Sequence, residues 1–416
     1  MWTRTFLVLA GLSSASVAAG GFAASWVEIA SGLPERGEWR NGFDLADFNG
    51  DGRLDLVHGP PRRTMSRPRV FVSGPDGKLA RWRQASFPAL PFDYGDAAAA
   101  DFDGDAHFDI ALGVHFRGLV VLSGDGRGGF QEQASYLAAE PGGSAFSSRA
   151  LATGDLDSDG RSDIVALGEG PRPPSASSAG AYGIRVLLNR LPESWDWLEL
   201  QPSTGRLFGN DVTLGDFDGD GHLDIASASS VQGQRGVLFW GDGQGGFSAG
   251  ELAAARPRSL IEALAAADFD ADGDDDLAIV FSDLQGAREK NGLDLMISVG
   301  ARRWLRQELL SGEDSGRPTA AGAGDLDGDG DPDLVALTAS GALALFENVG
   351  GRLGPVARLP PAQGGRGCHG YHVRLADLDG DGVNEIVAGF ADEDCESGGS
   401  LRVWKRAAPS PDLRQR

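Results

Sequence analysis

The sequence predicts an all-β fold, a seven-bladed β-propeller with four-stranded blades. Three observations carry this expectation. A nine-residue acidic loop recurs seven times at a near-constant period. Short runs of apolar and β-branched residues follow the copies. The 416 residues include 62 Gly, only 8% are aromatic, and no long amphipathic helical stretch occurs, which suits many short strands and tight turns.

The loops start at Asp47, Asp101, Asp155, Asp216, Asp268, Asp325 and Asp377, at steps of 54, 54, 61, 52, 57 and 52 residues. A period of this size marks one supersecondary unit per repeat. Length alone would allow two or three domains. The repeats argue for one, over residues 21–406, with a polar tail at 407–416.

The clearest loop places Asp216, Asp218, Asp220 and Asp224 at positions 1, 3, 5 and 9, with Gly221 at position 6. Alternate side chains converge, the Gly permits a sharp turn, and His222 at position 7 offers its backbone carbonyl, which is how hard oxygen ligands wrap a calcium ion. The first loop supplies Asp47, Asn49, Asp51, Arg53 and Asp55; its Asn keeps an oxygen and loses a charge. The second supplies Asp101, Asp103, Asp105, His107 and Asp109. It carries Ala106 where Gly is expected and is the weakest expected site. The third offers Asp155, Asp157, Asp159, Arg161 and Asp163. The fifth offers Asp268, Asp270, Asp272, Asp274 and Asp276, and the sixth Asp325, Asp327, Asp329, Asp331 and Asp333. The seventh has Asp377, Asp379, Asp381, Val383 and Glu385, the Glu being a longer arm to the same ion. Up to seven Ca²⁺ are therefore expected. An EF-hand would also need Glu at position 12 and flanking helices. Position 12 is instead His58, Ala166 or Ser227 in the first, third and fourth copies, and strand-like runs such as Ile164-Val-Ala-Leu167 follow position 9. The alternative, an acidic turn without metal, would leave closely spaced carboxylates to repel one another.

The net charge of −23 follows from these loops. Positions 1, 3, 5 and 9 hold 27 acids, and seven divalent cations would bring the charge to −9. The acidity thus says little about partners.

In chain order, residues 1–20 read as a secretory signal, with Arg4, an apolar Phe6–Leu12 core and a small-residue site at Ser16-Val-Ala18 or Val17-Ala-Ala19. No later stretch is long and apolar enough to span a bilayer. A secreted, periplasmic or extracellular location is expected. One period reads as Asp211–Gly215, the loop, Leu223–Ser227, Gly236–Trp240, the turn Gly241–Gly246, and a fourth strand Phe247–Leu252. The strand before a loop is small, as in Ala97–Ala100, Ala263–Ala267 and Thr319–Gly324, which fits crowded strands at a propeller axis. Position 2 is always Phe or Leu and reads as packing between blades. The turns Gly124–Gly129 and Gly241–Gly246 imitate a nucleotide fingerprint but lie between strands with no helix to follow, so they read as hairpin turns.

Fourth strands are expected at Leu79–Gln84, Phe130–Tyr136, Trp195–Leu200, Phe247–Leu252, Trp304–Leu309 and Leu353–Leu359. The seventh repeat ends on a third strand at Leu401–Trp404, so its missing strand is expected at Ala24–Ile29, which closes the ring. Cys368 and Cys395 flank the last loop, 13 residues before and 14 after Asp381, and a disulfide between them is expected in an exported chain.

The seven loops and the run Val237-Leu-Phe-Trp-Gly-Asp-Gly-Gln-Gly-Gly-Phe247 give the chain a resemblance to FG-GAP/VCBS-type repeat proteins and to the propeller of integrin α subunits. The resemblance spans roughly residues 21–406 and implies a seven-bladed propeller with calcium between the first and second strands of a blade. Integrins carry such loops in only some blades; here every blade has one. Fold alone does not settle function.

If the acidic loops share one face, the opposite face is basic and aromatic: Trp39 and Arg40; Arg62, Arg63 and Arg67; Tyr94; His115; Arg149; Arg172 and Tyr182; Arg256 and Arg258; Arg317; Arg366, His369 and Tyr371. A ligand there is expected to be a protein or a carbohydrate, anionic or sugar-like. Two function classes stay open. One is a binding, adhesion or scaffold module with structural calcium, expected to be monomeric. The other is a carbohydrate-active enzyme of polysaccharide-lyase type, or a lectin. An enzyme would need a base beside a neutralising cation, and His58, His115, His369 and His372 are candidates by type alone. No nucleophile elbow, zinc motif or phosphate loop is present, so no catalytic residues are expected. Without a concentrated basic run, nucleic-acid binding is not expected.

Overall fold

The computed structural model describes residues 26–407 apart from 30–31, 38, 41, 62–66, 91–94, 116–117, 136–145, 171–181, 204, 232–235, 253–254, 257–258, 284–289, 313–315, 362–367 and 392–398. The expected signal segment and its cleavage site lie outside the described residues.

The chain forms seven four-stranded antiparallel sheets, and no helix occurs among the described residues. Blade 4 is representative: Val212–Gly215, Asp224–Ser227, Val237–Gly241 and Phe247–Glu251 pair in sequence order. The expected outer strand at Leu79–Gln84 is shorter, Leu79–Arg81. There the chain turns at once, with the Ala85 N–H donating to the Trp82 carbonyl at 3.2 Å. The outer strand of blade 5 is longer than expected, Trp304–Ser311.

The last blade has the order that the end-pairing argument predicts. Trp26–Ile29 lies antiparallel against Ser400–Arg406, with Trp26 opposite Arg406 and Ile29 opposite Val403. Arg402 adds a hydrogen bond to Glu28 at 3.1 Å. Closing the ring in this way leaves the seventh sheet no shorter than the others.

Burial peaks in the middle strands of each blade. The innermost strands are small, as in Ala97–Ala100, and touch the innermost strands of neighbouring blades. The second strands, such as Ile164-Val-Ala-Leu167, are buried throughout because both of their faces meet other blades. The outermost strands are mostly exposed: in Phe130–Ser135 only Phe130 is buried.

Each interface between blades is one hydrophobic cluster, and position 2 of a loop always belongs to the cluster of the next blade. Phe48 packs with Ile110, Leu112 and Phe130 of blade 2. Phe217 packs with Ile261, Ile279 and Met296 of blade 5. Leu378 closes the circle against Phe43, Leu56 and Phe71 of blade 1. Side-chain donors reinforce the packing: Asn189 Nδ2, Ser298 Oγ and Asn348 Nδ2 donate to the position-2 carbonyls of Phe102, Phe217 and Phe269 in the preceding blades, at 2.7, 3.0 and 2.8 Å.

Truncating such a wedge leaves a cavity at a blade interface. Phe217→Ala is expected to cost about 3–5 kcal/mol, whereas Val349→Ala, at a side chain 62% exposed, is expected to cost less than about 0.5 kcal/mol. Urea unfolding of the two variants against the parent chain checks both values.

Candidate metal loops and the axial pocket

The acidic loop is folded by its own carboxylates. The position-1 Asp is the hub: Asp216 accepts N–H groups from Gly219 (2.9 Å), Asp220 (3.1 Å) and Gly221 (2.8 Å). Asp377 does the same with Gly380, Asp381 and Gly382. Such tight wrapping requires left-handed backbone at two positions. Position 6 has positive φ throughout, from Gly52 (83°) to Gly382 (84°), and Ala106 is held there at 68°. Position 4, which the sequence reading passed over, is left-handed as well, including Ser158 at 59° and Ala271 at 58°.

Position 5 also serves the turn. Its carboxylate accepts the position-7 N–H, as Asp220 does from His222 at 3.0 Å and Asp105 from His107 at 2.8 Å. Position 9 is buried, and in the first six loops it accepts two N–H groups; in the seventh, Glu385 accepts one, from Leu378. For Asp224 the two come from Phe217 in its own loop (3.0 Å) and from Gly241 on the third strand (2.8 Å). Ser73 and Phe48 treat Asp55 likewise.

The convergence that the spacing implies is present. In the second to sixth loops, carboxylate oxygens of positions 1, 3 and 9 lie within 4.8 Å of one another: Asp101, Asp103 and Asp109 in the second, for example, and Asp325, Asp327 and Asp333 in the sixth. These clusters could hold metal ions. Position 3 gives the most direct sign that the residues fit a cation. Asp157 Oδ1, Asp218 Oδ1, Asp270 Oδ1 and Asp379 Oδ1 are buried oxygens without a hydrogen-bond partner. A bound cation satisfies buried carboxylate lone pairs of this kind.

Basic side chains already reach some of these loops. Arg190 pairs with Asp157, and with Asp159 at 3.0 Å. Arg302 of blade 5 reaches Asp218 of blade 4 at 2.7 Å. Lys405 pairs with Asp379, Asp381 (2.9 Å) and Glu385 (3.3 Å), so the seventh loop has an ammonium group of its own. The sequence reading did not anticipate these partners, because each is distant in sequence from the acid it meets.

Burial, opposed by the two backbone N–H bonds, pushes the carboxyls of Asp55, Asp109, Asp163, Asp224, Asp276 and Asp333 up to about 7. The loop's other carboxylates add to the rise.

At the far ends of the innermost strands, opposite these loops, the axis opens into a cavity of about 220 Å³. Of the residues expected on this face, Arg40, Arg149, Arg317, His369 and Tyr371 line it together. The Arg40 guanidinium lies 4.9 Å from the Tyr371 ring centre, and the His369 ring 4.6 Å from it. Arg374 stands deeper in the channel, facing Asp211 and Asp44. The sequence reading missed Arg374, although a signal was present: three residues before the loops, the other blades carry Asp44, Ala98, Ala152, Thr213, Ala265 and Gly322.

The other expected face residues fare differently. Trp39 is buried in the interface of blades 7 and 1, edge-on to His58 at 4.8 Å, with its indole N–H on the Arg36 carbonyl; it offers no ligand surface. His58 is buried beside it, its Nδ1 2.6 Å from the Gly59 carbonyl. His115 and Arg149 both bind Glu169, with Ser147 as a third partner. Burial would raise the Glu169 carboxyl, but these three partners outweigh it and hold it at about 2. Arg256 pairs with Asp294 at 2.7 Å and with Glu308. His372 is driven down to about 3 by burial, then by Arg374 and His58, and is therefore neutral. Arg62, Arg63, Tyr94, Arg172, Arg258, Arg366 and Cys395 lie outside the described residues; Cys368 is buried.

A family model for the FG-GAP-like repeat matches residues 216–279 and 325–388, each match running from one acidic loop through the following loop and into the strand after it. The chain therefore carries FG-GAP-like repeats, in agreement with the resemblance drawn from its loops. No curated protein matches the chain. Among solved structures, BBS1N in complex with ARL6DN is similar over 93% of this chain and 98% of its own, at TM-score 0.54 and 12% identity. The Neurospora crassa Pan2 WD40 domain is similar over 93% and 97%, at TM-score 0.53 and 10% identity. At such identities the likeness is one of fold.

Two outcomes are expected. Ala106→Gly removes a side chain from left-handed backbone and should stabilise the chain by about 0.5–1 kcal/mol, read as a rise in Tm. In metal-free buffer, the six position-9 aspartates with raised pKa bind protons that the unfolded chain releases. The stability they contribute should be fully present below about pH 4 and fall as pH rises through about 7, which Tm measured across pH with chelator present would show.

Proposed function

We propose that this propeller with FG-GAP-like repeats is an exported calcium-binding module. Its calcium is mainly structural, and it binds a protein or carbohydrate ligand through the face opposite the acidic loops. The observation that carries this reading is the convergence of positions 1, 3 and 9 with buried, unpartnered oxygens at position 3. An all-oxygen, carboxylate-rich site suits a hard divalent cation. Calcium suits it better than magnesium, because the ligands sit on an adaptable turn and not in a rigid octahedron.

Structural calcium agrees with where the loops lie. Each joins the two inner strands of a blade and places the position-2 wedge of the next interface. Each ion would neutralise carboxylates that burial and mutual repulsion now hold near pH 7. Export is supported by the apolar N-terminal stretch, and the proposed Cys368–Cys395 disulfide fits an oxidising compartment.

The enzyme reading keeps one specific support. The axial cavity brings His369 and Tyr371 together with Arg40 and Arg317, and a lyase needs a base and a charge-neutralising cation in one cleft. Binding without catalysis is the preferred reading, since no sequence motif for catalysis accompanies that cluster.

At calcium ten times Kd each site adds about 1.4 kcal/mol, and seven add roughly 10 kcal/mol, comparable to a whole domain's stability. Thermal unfolding in millimolar Ca²⁺ and in chelator, with bound calcium counted in parallel, should show a large fall in Tm on chelation and five to seven ions per chain. An unchanged Tm with no bound calcium would overturn the proposal.

A further inference from the structure

The innermost strands of four blades are bulged at the same repeat position. Their register slips between Ser148 and Ala150, Ile261 and Ala263, Pro318 and Ala320, and Gly370 and His372. The residues passed over are Arg149, Glu262, Thr319 and Tyr371, each six residues before the first carboxylate of its loop. A bulge leaves its extra residue out of the ladder and re-aims the side chain. All four line the axial cavity. Blade 4 has Asn210 at this position, also in the lining. Blade 2 has Gly95, and blade 1 has Asn41, which lies outside the described residues. A packing layer repeats its residue type around the ring, as position 2 of the loops does. This layer changes its chemistry from blade to blade on a recurring backbone device, which marks a site.

Apart from Arg149 of blade 3, which Glu169 already holds, the lining is polarised. Arg317, His369, Tyr371 and Arg374 come from blades 6 and 7, and Arg40 from the segment entering blade 1. Asn210, Asp211 and Glu262 face them from blades 4 and 5. Arg317 holds a φ of 55°, a left-handed conformation that a non-Gly residue keeps only where its surroundings impose it. The volume lies below the ~300–1,000 Å³ of drug-sized sites, so the ligand is small.

We propose that this cavity binds one acidic sugar ring, a uronate. The proposal rests on the reading of this end of the propeller as the ligand face. The carboxylate sits on the arginine wall, where guanidinium groups pair with it in two-pronged fashion. The ring hydroxyls donate to Glu262, Asp211 and the Asn210 amide oxygen. A neutral sugar brings no negative charge to the arginine wall, and inorganic phosphate meets Glu262 with like charge. Each should therefore bind more weakly than the uronate.

The test is calorimetric titration of the full chain in millimolar Ca²⁺ with D-glucuronate, D-glucose and inorganic phosphate. Glucuronate should bind saturably, with glucose and phosphate at least roughly tenfold weaker. Arg317→Gly removes the guanidinium and relieves the left-handed backbone, so it should keep the parent Tm and lose at least roughly tenfold in glucuronate affinity. Glu262→Gln should lose affinity in the same direction. Absence of glucuronate binding, or binding unchanged in both variants, overturns the proposal. Tm with and without Ca²⁺ in the same samples separates the two readings. A calcium shift without glucuronate binding sinks only the pocket, and glucuronate binding without a calcium shift sinks only structural calcium.

Discussion

Each blade is fastened by a single buried carboxylate. In blades 1 to 6 the acid that ends the loop accepts one N–H from the loop's second residue and one from the third strand, as Asp163 does from Leu156 and Asn189 at 2.8 and 2.7 Å; in blade 7 Glu385 accepts from Leu378 and meets Lys405 instead. That pair of bonds fixes the direction in which the second residue points, and that residue is the wedge of the next interface. A position read as a cation ligand thus also carries the architecture. The acid at position 9 has work to do even before any ion arrives, because its two acceptor oxygens tie the loop to the third strand.

The fold was legible because its signals were redundant. Seven loops in register, the small strands before them and the unchanging Phe or Leu at position 2 all point to one ring, and the end-pairing of Trp26–Ile29 followed from counting strands. The candidate site was legible only in part. Loop ligands are local, and local spacing is what a sequence displays. The partners Arg190, Arg302 and Lys405 are not local, so their pairing with the loops emerges only from the folded ring. Trp39 misled because a loop tryptophan beside an arginine looks exposed, whereas the chain tucks its indole against His58 and Phe71. The bulges were invisible for another reason. A one-residue slip in pairing leaves the alternation of small residues looking regular until the partner strand is seen.

The two ends of the propeller divide their tasks. At one end the chemistry is nearly the same in every blade, and repetition there sets the shape. At the other, the position six residues before the loop runs through Arg149, Asn210, Glu262, Thr319 and Tyr371, with Asn41 and Gly95 in the remaining blades. A ring of equivalent positions lets different blades each contribute a side chain to a shared axial space. Such a scaffold can change what it recognises without disturbing the interfaces that hold it together.

The pairing of Trp26–Ile29 with Ser400–Arg406 joins residues at least 374 positions apart, the separation of the Arg402–Glu28 bond. During synthesis the N-terminal strand emerges first and finds its partner last. Until the ring shuts, the third strand of blade 7 offers a bare row of backbone donors and acceptors, and the early strand remains unclaimed. A second nascent copy could supply the missing strand equally well. The closure that gives the mature ring no loose edge is therefore also the step at which neighbouring chains can exchange ends.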